Sequence, residues 1–217
     1  MSHKDQIDAE HIQTQLVTTA SLISPSLAVA IERVPAIALQ AQQDMPLADR
    51  LCRAVTGQQL SVKSASAIWQ RLRASVPSGQ PMSAYIVGAT DDELRSHGLS
   101  RAKVRSVRAI AQTDVAGQLD AADFQVLNIE ERTERLTQLW GVGQWTVNMI
   151  NIFYFGEPDI WPDGDLAARK QLEQLTSARS KTIRTAEKFA PYRSYLALYM
   201  WRNVMPERFK PGARSSD

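Results

Sequence analysis

Apolar residues recur along this chain at the three- and four-residue intervals that put side chains on one face of an α-helix. Leu47, Leu51 and Val55 are spaced by four, as are Ile68 and Leu72, with Ala65, Trp69 and Val76 on the same broad face. Val104, Val107 and Ile110/Ala111 repeat the pattern after Ser100, and Leu136 and Leu139 follow Asn128; both preceding residues are suited to capping a helix start. Thr90–Asp91–Asp92–Glu93 has the form of a capping box, and Gly98 is placed to end that short helix. Alternating β-branched runs bounded by turns are missing. The pattern predicts an all-α fold of about ten helices joined by short loops.

Residues 1–20 are polar and are expected to form a loosely ordered segment ahead of a domain spanning 21–205. Residues 206–217, ending Pro–Gly–Ala–Arg–Ser–Ser–Asp, read as a tail, and the Pro-, Ser- and Gly-rich stretch 76–82 as a loop between helices. With 217 residues, 44% hydrophobic and 22% charged, the chain has the composition of a globular protein, which excludes a disordered or collagen-like chain. One cysteine, Cys52, can form no internal bridge and cannot supply a thiolate zinc site or an iron–sulfur cluster. The three histidines are scattered, so a metal-hydrolase centre is not expected. No apolar stretch approaches the roughly 20 residues needed to span a bilayer, and residues 1–10 do not resemble a secretion signal. The expectation is a cytoplasmic, nucleoid-associated protein with no membrane partner. A net charge of +2 permits nucleic-acid binding without arguing for it.

The most informative stretch is Leu136–Thr–Gln–Leu–Trp–Gly–Val–Gly–Gln–Trp–Thr–Val–Asn–Met–Ile150. One helical run stops at Gly141–Val142–Gly143 and another begins directly. Glycines at both ends of a tight turn admit strained backbone and remove side chains, so amides at the second helix start can approach an anion. From these residues alone the turn is either a plain helix–turn–helix corner or an anion-docking hairpin.

Leu139–Trp140–Gly141–Val142–Gly143 resembles the hairpin of the helix-hairpin-helix (HhH-GPD) base-excision glycosylases. Trp161–Pro162–Asp163–Gly164–Asp165–Leu166 is similar to that superfamily's Gly/Pro-rich loop with its essential aspartate. Three further stretches resemble the AlkA-like 3-methyladenine DNA glycosylases II: Val55–Thr56–Gly57–Gln58–Gln59–Leu60–Ser61–Val62–Lys63, Gly98–Leu99–Ser100–Arg101–Ala102–Lys103, and Pro191–Tyr192–Arg193–Ser194 followed by Trp201–Arg202. The hairpin alone is weakly specific; all five in order are strongly specific. The resemblance implies a two-lobed helical fold with the active site in the cleft between lobes, lacking the N-terminal β-rich domain of the longer AlkA. It places the hairpin at residues 136–150 and the catalytic loop at 158–166.

It also implies a chemistry and a set of residues. Asp165 matches the catalytic aspartate, while Asp163 is expected to be a solvated loop acid. By spacing alone Asp165 would be a helix cap, and the two roles can coexist. Bifunctional lyases of the superfamily carry a lysine where this chain has Trp145, so the resemblance implies a monofunctional glycosylase. Trp145, Trp201 and Met149 fall at base-pocket positions, Met149 replacing the tyrosine of the AlkA pattern; the plain alternative for the two indoles is core packing. Trp69 is expected to be core, and Trp140 stands where the hairpin usually has proline. Gln59 matches the wedge inserted from the minor groove, with Ser61 beside it. DNA contacts are implied for Gln59, Ser61, Lys63, Gly141, Val142, Gly143, Gln144 and Thr146; Lys63, Arg101, Lys103 and Arg105 are candidates for phosphate contacts, the plain alternative being solvated surface charge.

Carbonyls of Thr137, Leu139 and Val142 are implied to hold an optional Na⁺ or K⁺ in the hairpin; no cofactor is required. The implied partner is double-stranded DNA containing alkylated bases such as 3-methyladenine and 7-methylguanine, bound by a monomer. Two other readings of the residues stand beside this one. The first is a non-catalytic, structure-specific DNA-binding protein, and the second an all-α interaction domain whose tryptophans are core.

Overall fold

The computed structural model describes residues 3–177 and 181–204, and among these residues the fold is all-α, with no strand. Thirteen α-helices and one π-helical turn are present, against the ten expected; the excess comes from short helices of five to seven residues that periodicity over longer windows does not resolve. None of the described helices is long and apolar enough to cross a membrane. The described residues divide into two units, 43–150 and 3–42 with 151–177 and 181–204.

In the unit of residues 43–150, α3 (Leu47–Gly57) and α7 (Arg101–Val115) pack on each other, and α4 (Val62–Ala74) and α5 (Met82–Gly88) flank them. The periodic residues Leu47, Leu51, Val55, Leu72, Val104, Val107 and Ile110 are the buried ones, and Trp69 is core as expected. The caps also stand where the sequence puts them. Ser100 accepts from the Lys103 amide, and complete capping boxes start α6 (Asp91–Ser96) at Thr90 and α9 (Ile129–Thr137) at Asn128. The short α8 (Ala121–Gln125) precedes α9, and α10 (Gln144–Met149) follows the hairpin.

In the other unit, α1 (His3–Ser21) lies along α2 (Pro25–Glu32). This corrects the expectation of a loosely ordered N-terminal segment. Ala9, Leu16 and Ala20 share one face and are buried, and Gln13 donates to the carbonyls of Ile31 and Val34 at the end of α2. A few apolar side chains at the right spacing anchor a helix that is otherwise polar. The π-helical turn Ile150–Tyr154, α11 (Leu166–Leu175), α12 (Thr182–Glu187) and α13 (Arg193–Val204) complete this unit. Every residue of α13 from Ser194 to Trp201 is buried, so it is the unit's central helix. The tail expected at 206–217 lies outside the described residues.

Candidate active site

Asp165 is the residue before α11, with extended backbone, and its carboxylate caps that helix by accepting from the Ala168 amide at 2.9 Å. The same oxygen, Oδ1, accepts from the indole Nε1 of Trp201 at 2.9 Å. The helix cap expected from spacing is present, and the capping oxygen is held by a second donor. Trp201 is 5% exposed and stacks on Phe153 with ring centroids 5.8 Å apart, so its N–H reaches Asp165 from a fixed ring. No sequence signal singled out Phe153.

The loop that carries Asp165 is held at several further points. Asp159 takes a two-point contact from the Arg193 guanidinium, 2.6 Å at Nε, and also accepts from the Arg193 amide. Burial alone would push the Asp159 carboxyl up, but the Arg193 hydrogen bonds and charge outweigh it and hold the group below its usual range. Ser194 donates to the Glu157 carbonyl at 2.7 Å and accepts from the Ile160 amide at 2.9 Å. The Pro–Tyr–Arg–Ser stretch is thus the clamp on the loop. Asp163 corrects an expectation: it is half-buried rather than solvated, accepting from Trp161 Nε1 at 3.2 Å and from the Thr182 hydroxyl at 2.8 Å. It ties the loop to α12. Gly164, between the two acids, is exposed, and a side chain there would meet nothing within 4 Å.

In the unit of residues 43–150 the hairpin closes through the Val142 amide on the Leu139 carbonyl at 3.0 Å. Gly141 has φ +84°, and a Cβ there would stand 2.1 Å from the Ser106 hydroxyl of α7, so both backbone and packing require glycine. Gly143 differs: it is the N-cap of α10 with extended backbone, and a Cβ would meet nothing within 4 Å. Val142 is buried and anchors the turn, with its amide bonded to the Leu139 carbonyl. Gln144 is exposed and donates to Asn148. Trp145 is 40% exposed and Met149 half-buried. The Thr146 side chain is buried, and its amide stands at the start of α10, where helix N–H groups lack intrahelical partners.

Thr146 owes this position to Gln58, a residue that sequence reading passed over in favour of its neighbour. Gln58 Nε2 donates to the Gly141 carbonyl at 3.1 Å and to the Thr146 hydroxyl at 3.0 Å, joining the loop after α3 to the hairpin. Gln59 is exposed and left-handed at φ 57°, the one non-glycine residue so placed among those described. Ser61 caps α4 by accepting from Ser64, and Lys63 is exposed. Lys103 corrects another expectation. Its ammonium donates to the carbonyls of Thr56 and Gln58 at 2.7 and 3.0 Å, neutralising the end of α3 rather than facing a phosphate. Burial lowers its pKa from the usual lysine value.

Cys52 is buried, and desolvation, followed by the charges of Asp49 and Asp114, pushes its thiol far up. It is no nucleophile. No cluster of three or more His, Cys, Asp or Glu side chains suited to a metal occurs among the described residues.

Residues 52–192 match the profile of the HhH-GPD superfamily base excision DNA repair proteins. The chain is 34% identical over 161 residues to DNA-3-methyladenine glycosylase 1 of Schizosaccharomyces pombe, covering 71% of each sequence. A solved structure of a 3-methyladenine DNA glycosylase from the same yeast, in complex with abasic DNA, superposes with a TM-score of 0.71 at 28% identity, over 87% of this chain and 95% of that one. A DNA-3-methyladenine glycosidase from Bacillus halodurans shares the fold at a TM-score of 0.74 and 24% identity, over 89% of each chain. With a capped aspartate, a two-glycine hairpin and a family profile covering most of its length, the chain belongs to the HhH-GPD superfamily of base excision DNA repair proteins.

Proposed function

We propose that this base excision glycosylase removes alkylated purines such as 3-methyladenine and 7-methylguanine from double-stranded DNA, acting on a nucleotide turned out of the helix. The observation that carries the reading is the Asp165 carboxylate, fixed by the Ala168 amide and the Trp201 indole. The name of the yeast relative, a 3-methyladenine glycosylase, supports the lesion class.

Turning out the nucleotide costs a few kcal/mol and exposes the glycosidic bond. An N-alkylated purine is cationic, so the bond from C1′ to the base nitrogen breaks with its electron pair moving onto the base and cancelling that charge. The carboxylate of Asp165 stabilises the oxocarbenium sugar left behind. It also orients the water whose oxygen bonds to C1′ and takes its proton. Free base and an abasic site result. A preorganised carboxylate serves this chemistry because it is already aimed when charge develops, and the clamps on Asp159 and Asp163 supply that order.

The base contacts are assigned to Trp145, Met149 and Trp201. An indole face attracts a cation by about 0.5–2 kcal/mol, which favours alkylated over normal purines. Trp145 offers no amine to form an imine with the sugar, so strand cleavage is not part of the reaction. Docking is assigned to Gln59 as the wedge, with Ser61, Lys63, Gly141, Val142, Gly143, Gln144 and the Thr146 amide on the backbone. Thr137 ends α9, where helix carbonyls lack partners, and Leu139 and Val142 follow. Neutral hard oxygens of this kind suit Na⁺ or K⁺, and the Leu139 carbonyl retains a second lone pair beside its bond to Val142. Such an ion would stiffen the turn.

The glycosylase core is assigned to residues 21–205, wider than the family match because Trp201 lies beyond residue 192, with α1 packed on it as part of the same unit. A monomer acting on nucleoid DNA in the cytoplasm completes the reading. The test is to incubate the protein with N-methylated duplex, identify the free bases and look for strand cuts and borohydride-trapped adducts. Release of methylated purines with an intact strand and no adduct is expected. A trapped adduct, or no base released, overturns the reading.

A further inference from the structure

Four basic residues lie on the first part of α7, and two of them hydrogen-bond to other parts of the fold. Lys103 holds the end of α3. Arg108 donates to the carbonyls of Ile86, Val87 and Ala89 and pairs with Asp91 at 2.7 Å. Arg101 and Arg105, one turn apart on the same exposed face, make neither a hydrogen bond nor an ion pair among the described residues. Arg105 has a different partner: its guanidinium carbon lies 3.5 Å from the centroid of the Trp140 ring.

Trp140 is 50% exposed and directly precedes Gly141, whose backbone rests against Ser106, the neighbour of Arg105. The stack therefore stands on the edge of the hairpin. A guanidinium laid on an indole has one face covered and its N–H edge turned outward. That edge is the one that makes paired hydrogen bonds to two oxygens of a phosphate. The ring restrains a side chain that would otherwise lose rotamer freedom on binding. No carboxylate of the described residues pairs with it.

We propose that Arg105, held flat on Trp140, binds one backbone phosphate of duplex DNA beside the hairpin. The inference rests on the glycosylase reading, since it needs duplex DNA as the partner. Trp140 is then a positioning residue, and its bulk serves to aim a charge.

The test is an anisotropy titration of a labelled duplex, intact or carrying an abasic-site analogue, at salt from about 50 to about 200 mM. Arg105→Gln should weaken both duplexes by the same factor, about three- to tenfold, and reduce the slope of log affinity against log salt by about 1. Trp140→Ala keeps the charge, so it should retain the slope while losing about two- to fivefold in affinity. Arg105→Lys should likewise retain the slope and recover part of the affinity. Arg95→Gln, which removes the same charge from a residue paired with Asp92, should change neither quantity. Parental slope and affinity in Arg105→Gln overturns the proposal, and so does an equal effect from Arg95→Gln. A parent protein that binds no duplex overturns the glycosylase reading as well, which separates the two failures.

Discussion

Trp201 Nε1 donates to Asp165 Oδ1 at 2.9 Å across 36 residues of sequence, and the Ala168 amide donates to the same oxygen. The two donors come from different helices, so the direction of the carboxylate is set by the packing of α13 and α11 together. A group aimed before the reaction needs no reorganisation during it.

Removing the indole donor while keeping a ring isolates this contact. Trp201→Phe retains a ring against Phe153 and should lower single-turnover excision by about 10- to 100-fold. Affinity for undamaged duplex should stay at the parental value. Excision at the parental rate would reduce the contact to packing. Trp201→Ala is the poorer probe, because emptying so buried a site costs about 3–5 kcal/mol of stability.

The two hairpin glycines should separate folding from docking. Gly141→Ala combines a left-handed backbone with a methyl group driven into Ser106, and should destabilise the protein by about 1–3 kcal/mol in a thermal melt. Gly143→Asp meets open space and should melt as the parent does. Its added charge should weaken intact and damaged duplex alike, since phosphate contacts position a protein without reading bases. Normal duplex binding by folded Gly143→Asp would make the hairpin a structural corner.

Acid should loosen the loop that carries Asp165 through Asp159. Its carboxyl titrates below the usual range in the folded protein, so the stabilisation from Arg193 is present above the unfolded value of about 3.9. It is lost as pH falls through the lower folded value. Asp159→Asn should therefore melt about 2–4 °C below the parent at neutral pH, the equivalent of roughly 1 kcal/mol for a partly solvent-screened pair. The gap should narrow as the pH is taken below the unfolded value and close once it is below the lower folded one. A gap that persists unchanged in acid would assign the loss to packing.

Much of this fold is legible from residues i, i+3 and i+4. The periodic stripes of α3, α4 and α7 are their buried faces, and Ser100, Thr90 and Asn128 cap where their side chains suggest. The polarity of α1 hid it, because Ala9, Leu16 and Ala20 suffice to seat a helix on α2. In the site, Asp165 and the hairpin glycines carry local signatures. Gln58, Asp163 and Lys103 do not, since their roles depend on carbonyls and hydroxyls distant in sequence. Adjacent Gln58 and Gln59 look alike in the sequence; the positive φ of Gln59 and the inward amide of Gln58 exist only in the folded loop.

Base release by three proteins measures the central claim most directly: the parent, Asp165→Asn and Asp163→Asn, each in single turnover on an N-methylpurine duplex and each titrated with abasic duplex. Asparagine caps helices well and still accepts from Trp201, so Asp165→Asn should fold and bind abasic DNA within a few-fold of the parent. Its excision should fall by about 1,000-fold or more, because the charge opposite the forming cation is gone. Asp163→Asn should excise within about tenfold of the parent, since its carbonyl oxygen can still accept from Trp161 and Thr182. Excision by Asp165→Asn within a few-fold of the parent, with Asp163→Asn inactive, would contradict the account and move the chemistry to the other acid.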